Sequence, residues 1–199
     1  MRNEGIMYVE VNPQKFKNAL NSVSQLVDEA LLEISNNGVE TSAVDPANVG
    51  MVEMEMTTDS FIQLDTNNET LAVKINELEE AVGRLQDELV EDTEHRTLHM
   101  TVDEETRQLR LWCEPGTMEF SISLLDPDSV REQPDIPDID LASTVELHGE
   151  YFAHVIQTAR KSGFEHMIVG TTPDEIEFVC EGDTDNFTVG ATENDFGVH

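Results

Sequence analysis

Basic residues are scarce in this chain of 199 residues: 11 Lys and Arg stand against 42 Asp and Glu, for a formal net charge of -31. The acids run along the whole chain and form no tail, so they do not read as a binding appendage. They read as a coat. In molar salt the Debye length falls to ~3 Å and the self-repulsion of such a coat is largely screened, which points to a salt-rich cytoplasm. The two cysteines, Cys113 and Cys180, stand apart without CxxC spacing, which indicates neither a zinc site nor a disulfide framework. Aromatics are few, with eight Phe, two Tyr and one Trp. No apolar run approaches the ~20 residues that span a bilayer, and the start lacks a basic-then-apolar leader. The expectation is a cytoplasmic protein without a membrane segment.

Signs of chemistry are missing as well. His95, His99, His148, His154, His166 and His199 fall into no ligand motif, and Asp183 and Asp185 lack the Gly and distal Glu of a calcium loop. There is no glycine-rich phosphate loop and no nucleophile elbow. Carboxylate pairs arise by chance in so acidic a chain. The reading is a binding protein with no catalytic residues, no metal and no cofactor.

What the chain does hold is a repeated order of elements. "IMYVEV" (6–11) alternates, Asn12 and Pro13 suit a helix start, and Phe16, Ala19, Leu20 and Val23 form one apolar stripe. "ALLEIS" follows, Asn37-Gly38 marks a hairpin, and "VETSAV" and "VGMVEMEM" continue as strands. The second round runs through "TLAVKI", a helix capped by Asn76 with Leu78, Val82 and Leu85 on one face, "TLHMTVD", "QLRLWC" and "MEFSISLL". A third begins at "STVELHG", passes through a helix with an apolar stripe of Phe152, Val155, Ile156 and Ala159, and ends in "HMIVGT", "EIEFVC" and "NFTVGA". Helix anchor and hairpin turn are 21 residues apart in the first and third rounds, from Phe16 to Asn37 and from Phe152 to Pro173. In the second, from Leu78 to Glu104, they are 26 apart. Three units of strand, helix and three strands imply an α+β fold built by duplication.

Residues 126–142 are rich in proline and aspartate and read as an extended connector. The expected domains are 1–125, holding two units, and 143–199, holding one. An odd count suggests that a fourth unit is absent.

One helix breaks the charge pattern. Residues 11–27 contain no Asp or Glu, and neither do residues 151–164. Six of the eleven basic residues, Lys15, Lys17, Lys74, Arg84, Arg160 and Lys161, lie on or beside the three helices. A surface that approaches phosphates sheds its acids, because like charge opposes the approach.

At this point "AVDPANVGMVEMEM" (43–56), "LLDPDSVREQPDIPDIDL" (124–141) and "KFKNALNSVSQLVDEA" (15–30) resemble the archaeal sliding clamps, homologues of proliferating cell nuclear antigen, the haloarchaeal versions most of all. The resemblance implies the sliding-clamp fold, with helices on an inner face and sheets outside. It implies a head-to-tail homotrimer round duplex DNA, bound without sequence preference. It further implies tethering of DNA polymerase, the clamp loader and other proteins that carry clamp-binding peptides, in an archaeal or virus-infected archaeal cell. The six basic residues would face DNA. Val44, Val49, Met51, Ile136 and Pro137 would bind partner peptides. Met118, Phe120 and Ile122 would pair with Phe187 and Val189 of a neighbour. The alternative is a truncated clamp or decoy that binds partners without encircling DNA. An acidic DNA mimic would keep acids on its helices too, and a halophilic enzyme on an unrelated fold lacks a site.

Overall fold

The computed structural model describes residues 7–88, 96–103, 105–131 and 143–192. It divides into two compact units, Met1–Asp135 and Ile136–His199.

In the first unit, β1 (Tyr8–Val11) alternates as expected and buries Val9 and Val11. The chain then turns into α1 (Pro13–Ser24), where the Asn12 side chain accepts the Lys15 N–H at 3.0 Å. Proline at the first position and this cap satisfy helix-start groups that would otherwise lack partners. Phe16, Leu20 and Val23 are buried. A hairpin follows, formed by β2 (Glu29–Ser35) and β3 (Gly38–Val44), with Ser35 opposite Gly38. Gly38 has φ of 144°, and a Cβ there would sit 2.0 Å from the Met56 carbonyl oxygen, so the turn requires glycine. The next strand, β4 (Met51–Thr57), starts two residues later than the sequence pattern placed it. Beyond a short 3-10 turn lies β5 (Phe61–Asp65), which the sequence reading missed.

The second round is β6 (Glu69–Lys74), α2 (Ile75–Gln86), β7 (Thr97–Asp103), β8 (Gln108–Glu114) and β9 (Glu119–Ser123). Asn76 does not cap α2. The cap position is Lys74, whose side chain makes no capping bond. The Ile75 N–H donates instead to the Asp28 carbonyl at 2.9 Å, and Asn76, one residue into the helix, donates to the Asp28 carboxylate at 3.0 Å. A neighbouring loop supplies what a local cap would have supplied, so the capping rule points to the wrong residue.

The two rounds exchange their first strands. β1, from the first, pairs antiparallel with β7 of the second; β6, from the second, pairs antiparallel with β2 of the first. The resulting sheets run β5-β1-β7-β8-β9 and β4-β3-β2-β6. Across them α1 and α2 pack side by side. Gln86 Nε2 donates to Gln14 Oε1 at one end, while Asn21 and Ser24 donate to Glu79 at the other, at 3.0 and 2.7 Å. The helices are therefore antiparallel, and both rounds share one apolar core.

The second unit holds α3 (Gly149–Lys161) and the sheet β10 (Ile168–Thr171), β11 (Glu175–Glu181), β12 (Asn186–Thr192), in that order. Its buried cluster is small, with Val155, Ile176, Phe178 and Ala191. Two expectations fail here. "STVELHG" forms no strand, although Val145 and Leu147 are half-buried between exposed neighbours. Phe152 and Ile156, expected inside, are exposed. The stripe on α3 is wider than the core beneath it, so only Val155 and Ala159 are buried.

Candidate nucleic-acid and partner interfaces

The α1 surface is polar and almost uncharged. Its first turn carries no acid and its last no base. Gln14, Lys15, Asn18, Asn21 and Ser22 are exposed, and Lys17 is half-buried. Gln14 Nε2 donates to Asn18 Oδ1 at 2.7 Å, and Ser22 returns its hydroxyl to the Ala19 carbonyl at 2.7 Å. Lys15 and Lys17 flank the buried stripe, since neighbours of Phe16 lie about 100° to either side. Neither makes an ion pair among the described residues.

The α2 surface is different. Lys74 binds Glu77 at 2.9 Å and Arg84 binds Glu80 at 3.1 Å, each on its own helix or its edge. The Glu77 carboxylate raises the Lys74 pKa, through its hydrogen bond first and its charge second. Glu79, Glu80 and Asp87 line a shallow groove with Lys17 and Arg84. Two of the four expected DNA-facing cations in this unit are thus already neutralised by their neighbours. Arg160 and Lys161 are exposed at the end of α3, where cations also suit the helix dipole.

Val44 lines a groove of about 240 Å³ with Val27, Leu31, Ala43, Val130 and Arg131. Val49, on the 45–50 loop, is 86% exposed. Met51 begins β4 and is half-buried, while Ile136 and Pro137 lie outside the described residues. Sequence reasoning missed Arg131. Its guanidinium donates to the Asp45 and Pro46 carbonyls at 3.2 and 3.3 Å and to the Asn48 side chain. The loop is tied from within by Asp45, whose carboxylate accepts the N–H groups of Gly50, Val49 and Ala47 at 2.8, 2.7 and 3.0 Å. Those bonds, Gly50 first, hold the Asp45 pKa below the usual carboxylate range.

β9 and β12 are edge strands of their sheets. The named side chains, however, turn inward. Ile122 is buried, Met118 and Phe120 pack on the core of the first unit, and Phe187 and Val189 pack on that of the second. Along each outer edge the main chain pairs with no further strand among the described residues.

Among the described residues, no helix is long and apolar enough to cross a membrane.

With this geometry in place, comparison with known proteins is direct. Residues 11–114 match the family model described as proliferating cell nuclear antigen, N-terminal domain. The chain is 37% identical over 170 residues to the DNA polymerase sliding clamp of Natronomonas pharaonis, covering 84% of this chain and 65% of that one. It is 33% identical over 187 residues to the DNA polymerase sliding clamp of Haloarcula marismortui, covering 93% and 72%. It thus spans about two thirds of the length of these relatives. Among solved structures, A. fulgidus PCNA bound to the C-terminal region of FEN-1 matches with a TM-score of 0.81 at 25% identity, covering 96% of this chain and 74% of that one. The Entamoeba histolytica protein matches with a TM-score of 0.84 at 18% identity, covering 98% and 76%, and shares the fold. By sequence and by fold, the chain belongs to the proliferating cell nuclear antigen family of DNA polymerase sliding clamps.

Proposed function

We propose that this protein is a DNA sliding clamp, a ring that encircles duplex DNA and tethers DNA polymerase and other replication and repair proteins, with no catalytic step of its own. The observation that carries the reading is the acid-free α1 surface in a chain of net charge -31, lying beside α2 on the helical side of a clamp fold. Like charge is removed where phosphates pass.

The helices form the inner face. Lys15 and Lys17 make the principal phosphate contacts. Lys74, Arg84, Arg160 and Lys161 contribute, the first two less because Glu77 and Glu80 already hold them. A strip of amides, hydroxyls and two ammonium groups slides along phosphates without reading bases. Subunits join through the open main-chain edges of β9 and β12, one from each neighbour, which removes two adhesive edges at once.

Partner proteins present a short peptide with apolar and aromatic anchors to the Val44 groove, with Val49 and Met51 at its rim. The chain works in a salt-rich cytoplasm. There phosphate affinity is weak, because counterion release loses its entropy gain. A closed ring needs little affinity, since topology holds it.

The test is retention on nicked circular against linear DNA after loading in molar potassium chloride. Retention on circles and rapid loss from linear ends is the expected result. Equal loss from both would reject encirclement and leave a decoy that binds clamp partners.

A further inference from the structure

β9 is two residues shorter than the strand it would meet. It runs over Glu119–Ser123, five residues, whereas β12 runs over Asn186–Thr192, seven. Its first cross-strand pair with β8 is Glu119 opposite Trp112. Among the described residues, Thr117 and Met118, just before that pair, face no strand residue. Their N–H groups are taken up just past the end of α2. Glu88 Oε1 accepts the Thr117 N–H at 2.9 Å, the Thr117 hydroxyl at 2.8 Å and the Met118 N–H at 3.2 Å.

Glu88 is itself fixed. Its other carboxylate oxygen accepts from Arg96 Nη2 at 3.1 Å, and the two side chains are 11% and 2% exposed. Arg96 Nη1 donates to the Gln86 and Glu88 carbonyls, both at 2.9 Å, and so satisfies main-chain groups that the end of a helix leaves open. Arg96 directly precedes β7, which lies between β1 and β8 within the sheet. The backbone at Gly116 passes close by. A Cβ there would stand 2.6 Å from Glu88 Oε2 and 2.7 Å from the Cys113 carbonyl oxygen, so the approach requires glycine.

We propose that Glu88 is a positioning residue of the subunit contact: it holds Thr117 and Met118 in line with β9, so that the edge offered to a neighbour matches the seven residues of β12. The role rests on the ring reading above, in which β9 meets the β12 of the next copy. Strand addition draws its affinity from main-chain bonds. Two residues left to a free loop would have to be ordered at the moment of contact, at the expense of their conformational entropy. Glu88 orders them beforehand, which lowers the cost of association. The device suits molar salt. A nearly buried carboxylate and guanidinium are screened far less than an exposed pair, and the bonds to Thr117 and Met118 need no second charge. The same carboxylate ties the end of α2 to the contact.

The experiment is sedimentation equilibrium on the full chain in molar potassium chloride over a dilution series, with the melting temperature of each protein beside it. The proteins are wild type, Glu88→Ala, Glu88→Gln and Val82→Ala. Val82 is fully buried on α2, away from the turn before β9, so its truncation controls for lost stability alone. Wild type is expected to fall from three chains to one on dilution. Glu88→Ala should raise the midpoint concentration of that step by roughly tenfold, and Val82→Ala should leave it within about twofold. Glu88→Gln should lie between them, because an amide oxygen can still accept the Thr117 N–H. Hydrogen exchange of the dilute, dissociated chains, read by mass spectrometry, should quicken in residues 115–123 with Glu88→Ala and not with Val82→Ala. If Glu88→Ala does not fold, Thr117→Val decides. It removes the hydroxyl bond alone and should raise the midpoint by roughly threefold. Equal midpoints for Glu88→Ala and Val82→Ala, or in their place an unchanged midpoint for Thr117→Val, overturn the role and leave the ring standing. A wild type of one chain at every concentration overturns the ring reading and this role together.

Discussion

Lys17 of α1 lies directly over Gly83 of α2: a Cβ built on the glycine would stand 3.1 Å from the Lys17 Nζ. The missing side chain gives the lysine a channel between two packed helices, and its ammonium reaches the groove that Glu79, Glu80 and Asp87 share. Gly83→Ala therefore sets two effects against each other. Alanine is worth about 1 kcal/mol over glycine inside a helix, and the crowded atom is the far end of a flexible chain that can swing aside. A net stabilisation of about 0.5 kcal/mol is expected in urea unfolding, together with a more exposed Lys17. Destabilisation would show that the lysine is fixed in the groove.

The four cations of the first unit should not weigh equally on DNA. Lys15 and Lys17 carry no described ion pair, whereas Lys74 and Arg84 each hold a glutamate. Lys15→Gln and Lys17→Gln should each reduce the slope of log affinity against log salt by roughly 0.9, the signature of one lost phosphate contact. Lys74→Gln and Arg84→Gln should change it by less, since a paired cation releases fewer counterions. Equal slopes for all four would refute the ranking.

Glu88 gives the stability a pH dependence. Its carboxylate accepts the Thr117 N–H at 2.9 Å, the Thr117 hydroxyl at 2.8 Å and the Met118 N–H at 3.2 Å, and meets Arg96 at 3.1 Å. These bonds, Thr117 first, hold its pKa below the ordinary 4.5. A group whose folded pKa is depressed stabilises the fold above its unfolded pKa, and that contribution is lost as pH falls through the folded value. Glu88→Gln should lower the melting temperature at pH 7. The gap to wild type should close as pH drops below about 4.5. A gap that stays constant down to pH 3 would mean that the bonds do not depend on the charge.

Arg131 joins the 45–50 loop to the chain beyond β9 and should matter to peptides more than to folding. Arg131→Ala removes bonds to two carbonyls and the Asn48 side chain. Those groups are exposed, so water replaces the lost bonds and the global melting temperature should move little. A partner peptide that needs the ordered loop should bind about fivefold more weakly, equivalent to about 1 kcal/mol. Calorimetry with a synthetic clamp-binding peptide reads both sides of this expectation. Unchanged affinity would separate the loop from the peptide site.

Periodic patterns carried α1, most of α2 and the central hairpins, because each signal spans a few residues. Asn12 caps α1 as read, and Asn37-Gly38 turns the first hairpin as read. Asn76 was misread because the carbonyl that serves the start of α2 comes from Asp28, far away in sequence. β5 was missed because its five residues alternate weakly, and its strand partner among the described residues is β1, about fifty residues earlier in the chain. Among the candidate interface residues, Ile122 is buried and Met118 and Phe120 pack on the core of the first unit, a contact that no strand pattern names.

The sequence by itself determined the acid coat, the acid-free first helix and the repeated order of elements, because composition and spacing are properties of the chain alone. Only the tertiary structure decided that rounds exchange their first strands, that Lys74 and Arg84 are held by glutamates, and that the apolar stripe of α3 lies open. Those are choices of partner between segments distant in sequence. A strand or a helix face records in its pattern that it must be covered, but never by what.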